Sequence, residues 1–328
     1  MRRRDFIRTA AVVAACLPLP VRAAAPPRKV RVGFLTLGAD KSPVVDGRVA
    51  SLREGLMTGG GQEAFDIEVL ERRAGGQIDR LAPMAADLVA QDVQVICAIS
   101  PPAVRAALQT TKAVPIVALD LESDPVASGW AAGLAHPGGN VTGIFLDIPG
   151  FNAKTLQMLG EVVPGIRSVA VLWHRASGSL QLDALRAAAA GLGVTLDIFE
   201  VNSAADFDEA FTAMTKASAK GVIMLSSSLF AGNLESLAML ARREKLPAIN
   251  TFPEYAASGG LIGYGPDLPS LFVQTGFLAR KLLQGAAVAD QPIERPTRFQ
   301  LIANLKTAAA LNLTLPPSIL ISAASVIE

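Results

Sequence analysis

The segment Val93-Gln94-Val95-Ile96-Cys97-Ala98 is a short apolar run, and Ser100 follows it. Such a run is typical of a buried strand in a parallel sheet, and a hydroxyl just after it suits the start of a helix. The segment Lys220-Gly221-Val222-Ile223-Met224-Leu225, followed by Ser226-Ser227-Ser228, repeats this arrangement in the second half of the chain. The likeness favours two units of one kind, although such strand-to-helix transitions are also generic in α/β proteins.

Apolar runs rich in valine and isoleucine alternate with segments of helical period from Lys29 onward. The predicted strands cover residues 30–37, 67–70, 93–98 and 115–119, and then 141–145, 169–173, 195–201, 222–225 and 248–250. Helices are expected between them, for example over residues 51–57, 81–90, 103–111 and 206–217. This alternation predicts an α/β fold of two doubly wound parallel-sheet lobes, and the length of 328 residues suits two domains.

The charge is nearly balanced overall but uneven along the chain. A formal net charge of +1 lacks the basic excess that nucleic-acid binding needs, so nucleic acid is excluded as a partner. Residues 1–23 combine a basic start, an apolar run over residues 9–19 and a small residue, Ala23, which is the order of a signal peptide cleaved after Ala23. Arg3-Arg4-Asp5-Phe6-Ile7 indicates the twin-arginine type, and a general secretory route would lead to the same compartment, the periplasm. The run is too short to span a bilayer, so a protein that does not cross the membrane is expected.

Cysteines and catalytic motifs are scarce. Cys16 would pass as a weak lipoprotein acceptor, but the apolar residues 17–21 replace the usual polar tether and argue against a lipid anchor. Cys97 alone cannot form an internal disulfide or a multi-cysteine zinc site, and it is expected to be a buried strand residue. The sequence contains no Gly-x-Ser-x-Gly, phosphate-loop or His-Glu-x-x-His motif. We therefore expect neither an enzyme nor a metal or cofactor site.

Three ordered blocks resemble the ABC-transporter substrate-binding family that includes tryptophan- and tyrosine-binding lipoproteins. Besides the start at Arg3-Arg4-Asp5-Phe6-Ile7, they are Asp124-Pro125-Val126-Ala127-Ser128-Gly129 running to His136-Pro137-Gly138-Gly139-Asn140-Val141-Thr142-Gly143, and the tail from Ile293-Glu294-Arg295-Pro296 to Leu315-Pro316-Pro317-Ser318. The resemblance implies a type I periplasmic-binding-protein fold with three crossings between the lobes. It also implies a monomer that delivers one small-molecule solute to an inner-membrane ABC permease. Trp173-His174 stands where family members often carry Tyr-Asn, which leaves the solute open.

The resemblance also sets the expected domain boundaries. After the signal peptide, the N-terminal lobe would comprise residues 24–122 and 253–292, with a helix over residues 267–284. The C-terminal lobe would comprise residues 123–252 and 293–328. The crossings would then fall near residues 121–124, 251–255 and 292–297.

Ligands of open α/β sheets bind beyond the carboxyl ends of the strands, where helix N-termini offer free N–H groups. Polar and aromatic residues at predicted strand ends are therefore the ligand-binding candidates: Ser42, Ser100, Asp120, Asp124, His174, Ser226, Ser228, Thr251, Glu254 and Tyr264. A carboxylate among Asp120, Glu122 and Asp124 would pair with a ligand ammonium, and Tyr264 would stack on a flat solute.

Several candidates also have a structural alternative. Ser42 and Ser100 suit ordinary helix N-caps. Asp124 suits a turn fixed by Pro125, and the other carboxylates suit solvated loops. His174 is one of only two histidines; the other, His136, lies in a glycine-rich turn and is expected to be structural.

Three functions remain at this point: a receptor for solute import, a periplasmic sensing module that shares the fold, and a degenerate enzyme. The carboxylates and serines suit an amino acid, and the aromatic residues suit a flat solute.

Overall fold

The computed structural model describes residues 28–39, 42–58 and 65–328. The predicted signal peptide and Cys16 lie outside the described residues. The strands are β1 (Arg28–Thr36), β2 (Phe65–Arg73), β3 (Val95–Ile99), β4 (Ile116–Asp120), β5 (Val141–Phe145), β6 (Ser168–His174), β7 (Thr195–Val201), β8 (Val222–Met224), β9 (Ala248–Asn250), β10 (Ile262–Pro266), β11 (Phe299–Asn304) and β12 (Ser325–Ile327). The α-helices are α1 (Pro43–Met57), α2 (Leu81–Ala90), α3 (Pro101–Thr110), α4 (Ile148–Val162), α5 (Leu180–Leu192), α6 (Phe207–Lys216), α7 (Ser228–Ala231), α8 (Leu234–Arg243), α9 (Glu254–Ala257), α10 (Leu268–Leu283), α11 (Leu305–Ala310) and α12 (Pro317–Ser322).

The strands form two separate sheets, which confirms the two-lobe α/β prediction. The first sheet has the order β2-β1-β3-β4-β5, and all of its pairs are parallel. The second has the order β12-β11-β10-β9-β8-β6-β7, with one antiparallel pair between β10 and β11. Parallel strands need crossover connections, and the helices that make them cover both faces of each sheet.

Alternation along a central strand shows how the first lobe is layered. Val95, Cys97 and Ile99 of β3 pack in one core, together with Leu52 of α1 and Phe272 of α10. The intervening residues of β3 pack on the opposite face, in a second core with α2 and α3. Cys97 is fully buried, as predicted, and burial raises the pKa of its thiol to about 12. The thiol is therefore a packing group.

Helices α1 and α10 cross in close contact at two glycines. A Cβ on Gly55 would lie 1.9 Å from the carbonyl oxygen of Val273, and a Cβ on Gly276 would lie 2.2 Å from that of Leu52. Both positions therefore need glycine, because any side chain would push the helices apart. This contact fixes α10 to the first lobe, although α10 follows β10 of the second lobe in the chain.

The first crossing between the lobes differs from the prediction. Strand β5 pairs with β4 in the first sheet, with Asp120 opposite Phe145, so the boundary expected at residue 122 is wrong. The glycine- and proline-rich stretch before β5 is a loop that returns to the same sheet, where Asn140 Nδ2 donates to the carbonyl oxygens of Thr111 and Val114. The chain crosses only after Phe145, before α4 begins.

The second crossing is also later than predicted. Strands β9 and β10 both pair within the second sheet, so residues 253–266 belong to the second lobe and the chain crosses between β10 and α10. At the third crossing, Glu294 still bridges to Ile144 of the first sheet and β11 already pairs with β10. The first lobe therefore ends at about this residue, two positions beyond the expected boundary.

Candidate functional site

A cleft lies where the carboxyl ends of the two sheets face each other. Its outer chamber has a volume of about 400 Å³ and is bounded on the first-lobe side by the residues after β1 and the start of α1. On the second-lobe side it is bounded by His174 at the end of β6 and by residues that follow β7 and β8. An inner cavity of about 30 Å³ shares Arg48, Ser228 and Ala231 with this chamber. The complete lining of the inner cavity is Arg48, Ile99, Ser100, Leu119, Leu121, Glu122, Ser228, Ala231, Phe252, Leu268 and Phe272.

Two buried carboxyl groups stand at the end of β4. Asp120 Oδ1 accepts hydrogen bonds from the backbone N–H groups of Glu122, at 2.8 Å, and Ser123, at 3.0 Å. Its other oxygen, Oδ2, is buried and has no hydrogen-bond partner among the described residues. Burial raises the pKa of Asp120, and burial together with the neighbouring Asp120 charge raises the pKa of Glu122. The pair thus favours holding a proton.

Glu122 also joins the two lobes directly. Ser226 Oγ, just beyond β8, donates a 2.9 Å hydrogen bond to Glu122 Oε1. Ser226 is itself held by the Gln181 side chain, whose Nε2 donates to the Ser226 carbonyl and whose Oε1 accepts from the Ser226 N–H. Asn152 Nδ2 donates to the carbonyl oxygen of Gln181. The donor that reaches Glu122 is therefore fixed within a buried polar network, and the lobes are in contact.

Arg48 brings a positive charge to the same cavity. Its guanidinium lies 5.8 Å from the ring centroid of Phe272, a cation–π contact. Within the described ranges it has neither a hydrogen bond nor an ion pair. Burial lowers the pKa of Arg48, and the charges of Glu254 and Glu122 oppose that shift. Arg48 therefore presents a desolvated cation with free N–H donors.

Ser100 is strained and unpartnered at the turn between β3 and α3. Its φ is 83°, in the left-handed region that a non-glycine residue rarely adopts. Its Oγ is buried without a hydrogen-bond partner in the described part of the chain, and the residue is only 4% exposed. Backbone strain of this kind clusters at ligand-binding positions. The hydroxyl is available to a group in the inner cavity.

His174 ends β6 on the wall of the outer chamber. Its Nδ1 lies 2.8 Å from Ser227 Oγ, which also accepts from the N–H of Leu229 as the N-cap of α7. Burial lowers the pKa of His174, so the neutral imidazole is favoured. The His174 ring therefore contributes an uncharged polar surface to the chamber.

Four of the candidates from the sequence line the cleft: Ser42, Ser100, His174 and Ser228. Ser42 is at the same time the N-cap of α1, accepting from the N–H of Val45. Asp120 and Ser226 lie behind the cavity wall and both act on Glu122.

The other four candidates lie elsewhere. Asp124 Oδ1 accepts from two backbone N–H groups and fixes a turn, as its structural alternative proposed. Thr251 is buried and donates to the carbonyl oxygen of Met224. Glu254 is exposed at the start of α9, and its charge acts on Arg48. Tyr264 stacks on Phe151, with ring centroids 5.4 Å apart, and not on the cavity.

The sequence reasoning omitted Arg48 and did not select Glu122 over its neighbours. A signal for Arg48 was present, because it falls in the helical stripe of Val45, Val49 and Leu52, where a lone arginine has to be accommodated. A signal for Glu122 was its place just after the last predicted strand of the first lobe, at the carboxyl edge of the sheet where ligands of open α/β proteins bind.

Two class-defining features are absent from the described part of the chain. No helix there is long and apolar enough to cross a membrane. No group of three or more His, Cys, Asp or Glu side chains is placed to hold a metal ion.

Comparison with known proteins adds the family. The chain is 24% identical over 275 residues to the tyrosine-binding protein of Clostridioides difficile, covering 83% of this chain and 78% of the relative. Its fold matches a Streptococcus pneumoniae ABC domain in complex with L-Trp, with a TM-score of 0.81, 23% identity, and coverage of 91% of this chain and 100% of the other. A conserved domain protein from Vibrio cholerae matches with a TM-score of 0.80, 24% identity, and coverage of 92% and 100%. The family model described as ABC transporter substrate binding protein matches residues 41–327. The chain belongs to this family of ABC transporter substrate-binding proteins.

Proposed function

We propose that the chain is the periplasmic solute receptor of an ABC importer, which captures one amino acid between its lobes and delivers it to an inner-membrane permease. The observation that carries the proposal is the inner cavity. It combines a half-buried cation, Arg48, a buried carboxyl, Glu122, and an otherwise largely apolar wall at the junction of two lobes.

These groups complement an amino acid. A carboxylate would satisfy the free donors of Arg48, with the unpartnered hydroxyl of Ser100 nearby on the same wall. An ammonium would pair with Glu122, which lies between the lobes. Phe252 and Phe272 offer aromatic surface to an apolar side chain. A sugar has neither a carboxylate for the Arg48 guanidinium nor an ammonium for Glu122, so it would leave the cation without a counter-ion from the solute, which is costly.

The proteins that are similar to this chain indicate which solutes to test first. The curated relative is named a tyrosine-binding protein, and the pneumococcal domain is in complex with L-Trp. Aromatic amino acids are therefore the first to test. The inner cavity of about 30 Å³ holds little more than water, so the lobes must separate from this arrangement before an amino acid can enter.

The test is calorimetric titration of the chain from Ala24 onward with the twenty amino acids, a sugar panel and a nucleoside panel. We expect one or a few amino acids to bind, and the released solute to be chemically unchanged by mass spectrometry. Binding only of sugars or nucleosides, or turnover of the solute, would refute the proposal.

A matched pair of variants on α1 tests the site. Arg48→Gln removes the cavity cation, and the loss of a hydrogen bond to a charged group (~1.5–3 kcal/mol) predicts about 10- to 150-fold weaker binding. Arg53→Gln, whose partner is Glu71 at 3.5 Å on the exposed side, serves as the control. We expect the control to bind as the wild type does. Equal affinity in both variants would place the carboxylate elsewhere.

The importer role has its own test. Cells that lack this chain should lose high-affinity uptake of the solute identified by calorimetry, and the wild-type gene should restore it. Unchanged uptake would favour a sensing role for the same receptor.

A further inference from the structure

The Asp120–Glu122 pair is placed to hold either a proton or a cation. Asp120 is fully buried, and its Oδ2 has no hydrogen-bond partner in the described ranges. Glu122 is 5% exposed, lines the inner cavity and receives the hydrogen bond from Ser226 across the lobe interface. Two carboxylates so close in the chain and so poorly solvated repel each other, and any positive charge that reaches Glu122 relieves the repulsion.

We propose, on the basis of the amino-acid-receptor function above, that a proton on the Asp120–Glu122 pair and the ammonium group of the solute are alternative occupants of the closed cleft. Capture is then coupled to proton release at a pH where the pair is protonated. The second observation that marks this place as a ligand site is Ser100, whose buried Oγ lines the same cavity without a partner.

Other charged groups around the pair set the balance. Arg48 of α1 acts on Glu122, and Arg105 of α3 acts on Asp120; both favour the ionised carboxylates. Glu254 of α9 acts on Arg48 and offsets part of its charge. His174 of β6 lies on the outer chamber, where burial favours its neutral form. Burial of the pair works against the two arginines, and the pKa of both carboxyl groups remains raised.

The exchange balances in atoms and charge. The protonated pair, carrying one proton on its carboxyl oxygens, meets an R–NH₃⁺ group. The proton leaves to solvent, and the Glu122 carboxylate pairs with the ammonium. No covalent bond of the solute changes. Because one proton competes with one solute, the dissociation constant should rise up to tenfold for each unit that the pH falls below the pKa of the pair.

The experiment measures amino-acid affinity by calorimetry at pH 5.5, 6.5, 7.5 and 8.5, in buffers of low and high ionisation enthalpy. The carboxylate of a free amino acid does not titrate in this range, and its ammonium begins to lose its proton only toward pH 8.5. We expect wild-type binding to weaken toward pH 5.5 with release of up to one proton. Ordinary carboxylates titrate near pH 4 and would give a flat profile.

Two isosteric variants assign the effect. Glu122→Gln removes the carboxyl that pairs with the ammonium, so its affinity should be weaker and should depend on pH much less than that of the wild type. Asp120→Asn keeps an oxygen for the two backbone N–H groups and removes the neighbouring charge, so the transition should move to lower pH. Asp120 thus acts as a positioning residue for Glu122, and a purely structural role would not shift the profile.

His174→Gln is the control for the other titratable group on the cleft, and it should keep the wild-type pH profile whatever its affinity. Amino-acid binding that is flat from pH 5.5 to 8.5 and releases no proton would overturn this inference and leave the receptor function standing. A Glu122→Gln variant with the wild-type profile would overturn it as well. Failure of every amino acid to bind would overturn both proposals.

Discussion

The close crossing of α1 and α10 makes Gly55→Ala a sharp test of the packing of the first lobe. The new Cβ would stand 1.9 Å from the carbonyl oxygen of Val273. An ordinary van der Waals contact begins at 3.4 Å, so the obstacle must retreat by about 1.5 Å. It is backbone of the partner helix and cannot rotate away as a side chain would. The two helices must therefore separate.

The cost follows from opposing effects. Overpacking a core typically costs ~1–3 kcal/mol, and a rigid backbone obstacle belongs at the upper end of that range. Replacing glycine by alanine within a helix returns up to ~1 kcal/mol. The net expectation is a loss of ~2 kcal/mol, which corresponds to a fall in Tm of about 3 °C in a protein of this size.

Gly47→Ala on the same helix is the matched control, because a Cβ there meets nothing within 4 Å. It should gain ~0.5–1 kcal/mol from helix propensity alone. Both variants are measured by calorimetric melting and urea unfolding. A Gly55→Ala protein as stable as the Gly47→Ala protein would show that α10 does not pack rigidly against α1.

Three further outcomes are expected. Gly143→Ala should lower the free energy of unfolding by more than ~2 kcal/mol, because the φ of Gly143 is +145° and a Cβ there would lie 2.0 Å from the Ala118 carbonyl oxygen of the neighbouring strand. Urea unfolding measures the change in free energy. A neutral result would contradict the pairing of β4 with β5. Ser226→Ala should weaken amino-acid binding about tenfold, because the hydrogen bond from Ser226 to the Glu122 carboxylate, worth ~1.5 kcal/mol or more, is lost. Small-angle scattering should show a more open ligand-free protein. An unchanged radius of gyration would argue that this bond does not hold the lobes together. Glu122→Gln should raise the Tm of the ligand-free protein relative to the wild type, by an amount that grows from pH 5 to pH 8. The folded wild type keeps a proton that the unfolded chain releases near pH 4.3, so the stability of the wild type falls as the pH rises through that window. Parallel Tm curves for the two proteins would show that the pKa of Glu122 is not raised.

Most of the fold was readable from the sequence, since short valine- and isoleucine-rich runs between helical segments have few other solutions. The lobe boundaries were not, because local composition does not reveal which sheet a strand joins. The loop before β5 contains the breakers expected of a lobe crossing, yet it returns to β4. Only the pairing of Asp120 with Phe145 decides this, and that pairing depends on residues far apart in the chain.

The candidate site, like the fold, could be predicted from the sequence only in part. Ser100 and His174 were identifiable because the carboxyl-end rule applies to any parallel sheet. The carboxyl-end rule did not identify Arg48, because Arg48 lies in the second turn of a helix. Its position on the cavity depends on how α1 packs against α10. Tyr264 satisfied the rule but faces Phe151 and Phe299, rings that are distant in sequence and stack on it at the crossings.

The crossing topology has a consequence for how the protein is made. The first lobe lacks the helix α10 on one face of its sheet until the ribosome has synthesised residue 283, by which time the second lobe has been synthesised as far as β10. Neither lobe can therefore be completed alone, and the apolar face that carries Val95 and Cys97 is covered only in part, by α1, until α10 has been made. Contacts between segments so far apart along the chain slow folding and lengthen the life of aggregation-prone intermediates. Although the two halves of the protein look like independent modules, the folding of each lobe thus depends on residues in the last third of the chain.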